Sequence, residues 1–144
     1  MTDLERLRDW IKTYPKHSVI ANFMVDFVDQ IPGGGSIAPS GLVEVSRKTD
    51  ILGETTVENQ YNFGLYYVFQ KAPKDDVGAT YNAEWVMDFQ RWVQEQSIGH
   101  LAPTFGDEPM SERIQAQNGV LYAADEEGTA VYMIQLSVRF TKYF

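Results

Sequence analysis

The sequence has no cysteine and only two histidines among its 144 residues. The lack of cysteine excludes a disulfide framework and any thiolate metal site. No apolar run approaches the roughly 18 residues that a membrane-crossing helix needs. The charged first segment, MTDLERLRDW, does not have the pattern of a secretory signal, so we expect an intracellular origin.

Basic residues are also scarce, with 12 Lys and Arg against 20 Asp and Glu and a net charge of −8. The densest basic pair in the middle of the chain, Lys71 and Lys74, is followed directly by Asp75 and Asp76. Phosphate neutralisation supplies most nucleic-acid affinity, so the charge disfavours sequence-specific DNA or RNA binding. A chain of this length, 44% hydrophobic and 13% aromatic, predicts one domain over residues 1–144.

Residues that could perform chemistry are few. His17 and His100 have no neighbouring histidine or carboxylate at ligand spacing, so a zinc site would lack donors. The acidic clusters fall in predicted turns and match no calcium-loop pattern. We therefore expect no catalytic, cofactor-binding or metal-binding residues and no enzyme activity. An alternative is a small-ligand-binding or enzymatic domain whose aromatic pocket is lined by Trp10, Trp85 and Trp92.

Hydrophobic periodicity predicts two helices and five strands. A capping box at Thr2 and Glu5 opens the first helix, and the second runs from about Tyr81 to Ser97. The last segment, Thr129–Phe144, alternates so regularly that we expect it to be the longest and most central strand. The other predicted strands are Ser18–Val28, Leu42–Lys48, Thr56–Gln70 and Ser111–Ala124. This order, α-β-X-β-β-α-β-β, predicts an α+β fold with a mostly antiparallel sheet and both helices on one face.

Between the first two predicted strands lies the glycine-rich passage Ile31–Gly41. Gly33, Gly34 and Gly35 are not followed by a helix, so they cannot form a phosphate-binding loop. The composition favours a mobile connection, or one that closes against a partner.

A sheet with helices on one face leaves its other face uncovered. The pattern places on that face an apolar set consisting of Ile20, Met24, Tyr66, Val68, Val131 and Met133. An apolar patch on a small acidic protein is typical of a partner surface, and we expect self-assembly. The loops Gly33–Ser36, Lys71–Val77 and Leu101–Met110 are further candidate contacts. The candidate interface residues are Gly33, Gly34, Gly35, Ser36, Lys71, Lys74, Asp75, Asp76, Asp107, Met110, Val131 and Met133.

Three passages resemble a family of small proteins from tailed phages and prophages of Gram-positive bacteria, which carry the description minor capsid protein or tail terminator. They are VDF…P…SI-x-P from Val25 to Pro39, W-x-x-x-Q from Trp92 to Gln96, and Y-x-I-Q-L from Tyr132 to Leu136. The similarity in order and pattern runs over nearly the whole chain.

This resemblance implies a structural role at the head–tail junction of a virion. Tail terminators share the predicted order of elements and form a hexameric ring that caps the tail tube and meets the head connector. The implied partners are further copies of this chain, the major tail protein and the head completion or connector protein, with no cofactor. The implied location is the virion, and the host cytoplasm during assembly. An acidic ring would let DNA pass without holding its phosphates.

Overall fold

The computed structural model describes residues 1–26, 32–70, 76–124 and 128–144. Two helices and a five-stranded sheet, about half of the chain being strand, form an α+β fold. The elements are α1 (Asp3–Ile11), β1 (Asn22–Val25), β2 (Gly34–Thr49), β3 (Thr55–Gln70), α2 (Asp76–Ile98), β4 (Arg113–Ala124) and β5 (Thr129–Tyr143). Short 3₁₀ turns at Pro15–Val19 and Pro109–Ser111 precede β1 and β4.

The strands lie in the order β1-β2-β3-β5-β4. Strand β1 runs parallel to β2, and the three remaining pairs are antiparallel, as the predicted mostly antiparallel sheet requires. The expectation that β5 is the longest and most central strand is wrong: β3 occupies the middle, and β2 and β3 are each one residue longer. Alternation along one strand identifies a buried face but carries no information on which neighbours that strand has.

Helix α1 begins with the predicted capping box. The Glu5 backbone N–H donates to the Thr2 hydroxyl, and the Thr2 backbone N–H donates to the Glu5 carboxylate, both at 3.2 Å. These two bonds satisfy donors that a helix start otherwise leaves unpaired. The helix then buries Leu7, Trp10 and Ile11 against the core.

The glycine-rich passage differs most from the expectation. Strand β2 begins at Gly34 and not at Leu42, and Gly34, Gly35 and Ser36 are buried. A Cβ at Gly35 would lie 2.9 Å from Ile20 Cγ2 and 3.2 Å from the Tyr67 ring. Glycine is required here because another chain segment approaches closely, and this close approach replaces the predicted mobile connection.

The segment before β2 also departs from its prediction. Instead of one strand over Ser18–Val28, the chain makes the Pro15–Val19 turn, and in the part that the structure describes Asn22–Val25 pairs with β2. Proline favours such a turn at its first position, and Asp26 at φ 60° ends the strand. Residues 27 and 28 of the predicted strand lie outside the described residues.

Both helices cover one face of the sheet, as predicted, and they meet through aromatic rings. Trp10 of α1 stacks on Trp92 of α2 with ring centroids 4.8 Å apart, and its Nε1 donates to the Gln96 side chain at 3.0 Å. Trp85 packs against Tyr67 and Phe69 of β3. This face of the sheet and the helices enclose the hydrophobic core.

Candidate assembly surface

The two edges of the sheet differ in how far their backbone groups already have hydrogen-bond partners. Strand β1 covers only Gly34–Ile37 of β2, so within the described residues the rest of β2 pairs with β3 alone. Leu42, Val43 and Val45 are exposed along this edge. A long edge with unpaired backbone groups and apolar side chains is a template for another chain segment.

The opposite edge, formed by β4, is capped by side chains of α2. The Ile114 backbone N–H donates to the Ser97 hydroxyl at 3.2 Å, and the Gln90 amide donates to the Ala116 carbonyl at 3.2 Å. At Gly119 a Cβ would overlap Val86, so glycine lets the strand approach the helix closely. The two hydrogen bonds use backbone groups that an edge strand otherwise leaves open.

The turn between β2 and β3 presents two apolar side chains at the end of the sheet. The Asp50 carboxylate accepts from the backbone N–H groups of Leu52 at 2.9 Å and of Glu54 at 3.0 Å, and Gly53 adopts φ 85°. These contacts hold the turn in one shape, while Ile51 and Leu52 are 102% and 82% exposed. We call residues 50–54 the hairpin tip.

On the other flank of the sheet, a groove of about 700 Å³ lies between the second half of α2 and the first half of β4. Its apolar lining includes Met87 and Ile98, which are 58% and 73% exposed, above the buried Ile114. Arg91, which is paired with Asp88 at 3.2 Å, and the acidic Glu112 also line it, while the Arg113 guanidinium lies beside the Gln115 side chain. We call this feature the α2–β4 groove.

The uncovered face of the sheet is less apolar than the sequence suggests. Ile20 lies in the core on the helix side, contrary to its predicted place, and Val68 and Val131 are buried. Tyr66 packs edge-on against Tyr122, and Met133 is half-buried. Much of the face is polar, and side chains two residues apart on one strand form hydrogen bonds, as between Gln60 and Asn62. The polar residues on this face are Gln60, Asn62, Gln115, Gln117, Gln135, Ser137 and Arg139.

The residues expected to make contacts lie at two ends of the sheet. Gly33–Ser36, Asp76 and Val131 are at the end where β3 finishes and β5 starts; Met133 lies two residues further along β5. Gly33 belongs to the fold, because its backbone N–H donates to the Val68 carbonyl at 2.9 Å and its φ is 90°. Lys71, Lys74 and Asp75 lie outside the described residues.

Asp107 and Met110 are at the other end of the sheet, where β5 finishes and the hairpin tip lies. Asp107 holds the loop onto β5: its backbone N–H donates to the Thr141 carbonyl at 2.7 Å, and its carboxylate accepts from the Tyr143 N–H at 2.8 Å. Met110 is exposed. Those predicted contact residues that the structure describes therefore lie at two ends of the sheet and not in one patch.

Ile51 and Leu52 were not among the contact residues expected from the sequence. They lie between the predicted strands Leu42–Lys48 and Thr56–Gln70. Turns favour Gly, Asn, Asp, Ser and Pro, so adjacent Ile and Leu in a turn are the signal that could have identified the hairpin tip.

The described side chains show little that could perform chemistry. Within residues 1–26, 32–70, 76–124 and 128–144, no three His, Asp or Glu side chains come together as metal ligands. His17 is buried at 4% exposure, with Nε2 3.2 Å from the Tyr67 hydroxyl. Burial, helped by the positive charge of Lys12, lowers the pKa of His17 to about 4. Trp10, Trp85 and Trp92 pack against neighbouring rings.

In the part of the chain that the structure describes, no helix is long and apolar enough to cross a membrane.

The structure assigns the chain to the α+β class. No family model matches the sequence, and no curated protein matches it.

Proposed function

We propose that this chain is a structural assembly protein, a tail terminator of a tailed phage or prophage. Copies of the chain form a ring, expected to be hexameric, that caps the tail tube and joins it to the head connector. It acts without catalysis and without a cofactor, at the head–tail junction of the virion, after assembly in the host cytoplasm. Its partners are other copies, the major tail protein and a head completion or connector protein.

Two observations together support this proposal: the order of the helices and strands, and the presence of an unpaired strand edge and an exposed apolar turn. The order α1-β1-β2-β3-α2-β4-β5 is the plan that the resemblance implies for tail terminators. The open edge of β2 and the apolar hairpin tip offer material for contacts between subunits. The net charge of −8 suits a ring through which DNA slides.

Size in solution is the first test. We expect purified protein to sediment as one species with the mass of a ring, and negative-stain images to show rings with a central opening. A compact monomer or dimer at every concentration would contradict the proposal and would favour the alternative of a small-ligand-binding domain, for which the α2–β4 groove would be the place to search.

A functional test follows from the capping role. The major tail protein of the same phage, polymerised alone, should give tubes of uncontrolled length. Added ring protein should stop growth and appear at one end of each tube in electron micrographs. Unchanged growth in the presence of intact rings would refute tube capping.

A further inference from the structure

A cavity of about 270 Å³ opens on the uncovered face of the sheet, at the end where β3 finishes and β5 starts. Ligand pockets for drug-sized molecules usually measure roughly 300–1,000 Å³, so this cavity suits one side chain or a small molecule. We call it the tyrosine cavity. The described residues that line it are Asp26, Ser36, Ala38, Tyr66, Tyr122, Ala123 and Val131.

Two tyrosine rings form a corner of the cavity. Tyr66 belongs to β3 and Tyr122 to β4, with β5 between them, and their ring centroids lie 5.5 Å apart with the planes at 78°. The register of β4 shifts between Leu121 and Ala123, which leaves Tyr122 as the extra residue. Such a bulge turns a side chain away from its regular direction. The faces of aromatic rings attract cations, so the corner favours a positively charged ligand.

Ser36 adds a hydroxyl to the wall of the cavity. Its side chain is almost completely buried, yet within the described residues no group forms a hydrogen bond with its hydroxyl. Buried polar groups generally have a hydrogen-bond partner, because leaving one without a partner is costly. The hydroxyl oxygen is therefore available to accept a hydrogen bond from a ligand N–H.

The charge of the cavity is negative. Asp26 follows β1 and is the one charged residue among the described residues of the lining. The ion pairs in the part of the chain that the structure describes do not include it. Its backbone N–H donates to the Ile37 carbonyl at 3.1 Å, which fixes Asp26 to the strand that carries Ser36 and Ala38. A carboxylate without a basic partner, beside ring faces and a hydroxyl, is the chemistry that binds an organic cation.

We infer that the tyrosine cavity binds a guanidinium or ammonium group, and that an arginine side chain suits it best. A planar guanidinium stacks on an aromatic ring and still directs N–H groups to its sides, here toward Asp26 and Ser36. Lysine offers a compact charge that stacks less well. The inference goes beyond the proposed function and does not depend on the formation of a ring.

The first test is an NMR titration with N-acetylarginine methylamide. The matched control ligand is N-acetylcitrulline methylamide, which has nearly the same shape but no charge. We expect the methyl signals of Ala38 and Ala123 to shift with a dissociation constant on the order of 1 mM, and the citrulline compound to bind at least about tenfold more weakly. The methyl group of Ala102, in the loop before β4, should not shift. Equal binding of the citrulline compound would overturn the inference.

Variants locate the site. Asp26→Asn should weaken binding by about tenfold, and Tyr122→Leu by about threefold, whereas Tyr122→Phe keeps the ring and should bind normally. The matched control is Glu54→Gln, which removes one negative charge at the hairpin tip and should leave binding unchanged. Amide spectra show whether each variant is folded. Normal binding to folded Asp26→Asn protein, or an equal loss in Glu54→Gln protein, would refute the site.

The source of the cation is decided by a parallel titration with methylguanidinium. Binding of N-acetylarginine methylamide that is at least as tight indicates an arginine side chain of a protein partner, whereas tighter binding of methylguanidinium indicates a free small cation. Binding of neither compound would overturn the inference. Protein that sediments as a ring but binds neither compound would refute the cation site and leave the proposed function standing.

Discussion

The pH dependence of folding follows from His17, which is buried against Phe23, Tyr67 and Trp85. Burial removes the imidazole from water, and Lys12 adds repulsion, so the pKa of His17 falls from 6.5 to about 4. The neutral ring fits this environment and shares a hydrogen bond with the Tyr67 hydroxyl at 3.2 Å. The charged ring does not, because no carboxylate among the described residues pairs with His17, and a buried cation without such a partner is costly.

The sign follows from the two pKa values. The unfolded chain binds a proton at pH values where the folded chain does not, so acidification favours unfolding. The contribution of His17 is fully present above the unfolded pKa of 6.5 and is lost as the pH falls toward the folded pKa of about 4. The whole loss corresponds to about 3 kcal/mol, of which about 2 kcal/mol falls between about pH 7 and about pH 5.

The assay is urea denaturation of wild type, His17→Gln and His100→Gln at these two pH values. His100 is exposed and is the matched control. Wild type and His100→Gln should lose about 2 kcal/mol more of unfolding free energy on acidification than His17→Gln does, whatever the absolute stability of each variant. NMR titration of the His17 ring gives an independent measurement. An equal loss in all three proteins, or a His17 that titrates near its ordinary value, would refute the reasoning.

Three further predictions concern the fold. Gly106→Ala should lower the free energy of unfolding by about 1–3 kcal/mol, measured in urea, because a Cβ there would overlap the Thr141 carbonyl oxygen; unchanged stability would contradict it. Thr2→Ala should cost about 1 kcal/mol through loss of the α1 cap, and Thr2→Ser, which keeps the hydroxyl, should restore most of it in the same assay. Ser97→Ala should cost about 1 kcal/mol by leaving the Ile114 N–H without its partner, and hydrogen exchange at that amide should accelerate, whereas an unchanged exchange rate would argue against the cap.

Local patterns predicted the helices well. The capping box at Thr2 fixes the start of α1, and α2 covers the predicted segment from Tyr81 to Ser97, with Trp85, Phe89 and Val93 buried. The start of α2 at Asp76, five residues before the predicted one, was missed because its first turn lacks large buried residues. Strand β3 matches its prediction to within one residue.

Features that depend on contacts between distant parts of the chain could not be predicted from the sequence. Gly35 reads as a flexible position, yet it lies beneath Phe23 and Tyr67, residues that only the folded sheet brings to it. The parallel pairing of β1 with β2 also depends on a connection whose path no local pattern specifies. Val131, a candidate contact, is buried. Ile51 and Leu52 were not candidate contacts, and their exposure in the structure is what identifies the hairpin tip.

The capped edge of β4 has a consequence for solubility. A cross-β fibril grows only when each added molecule presents a fresh edge equivalent to the one that it has just covered. A molecule that pairs through its open β2 edge turns β4 outward, where Ser97 and Gln90 already occupy backbone groups of the strand. Strand addition at this part of β4 would have to displace both side chains, which disfavours growth of a stack from both edges of the sheet.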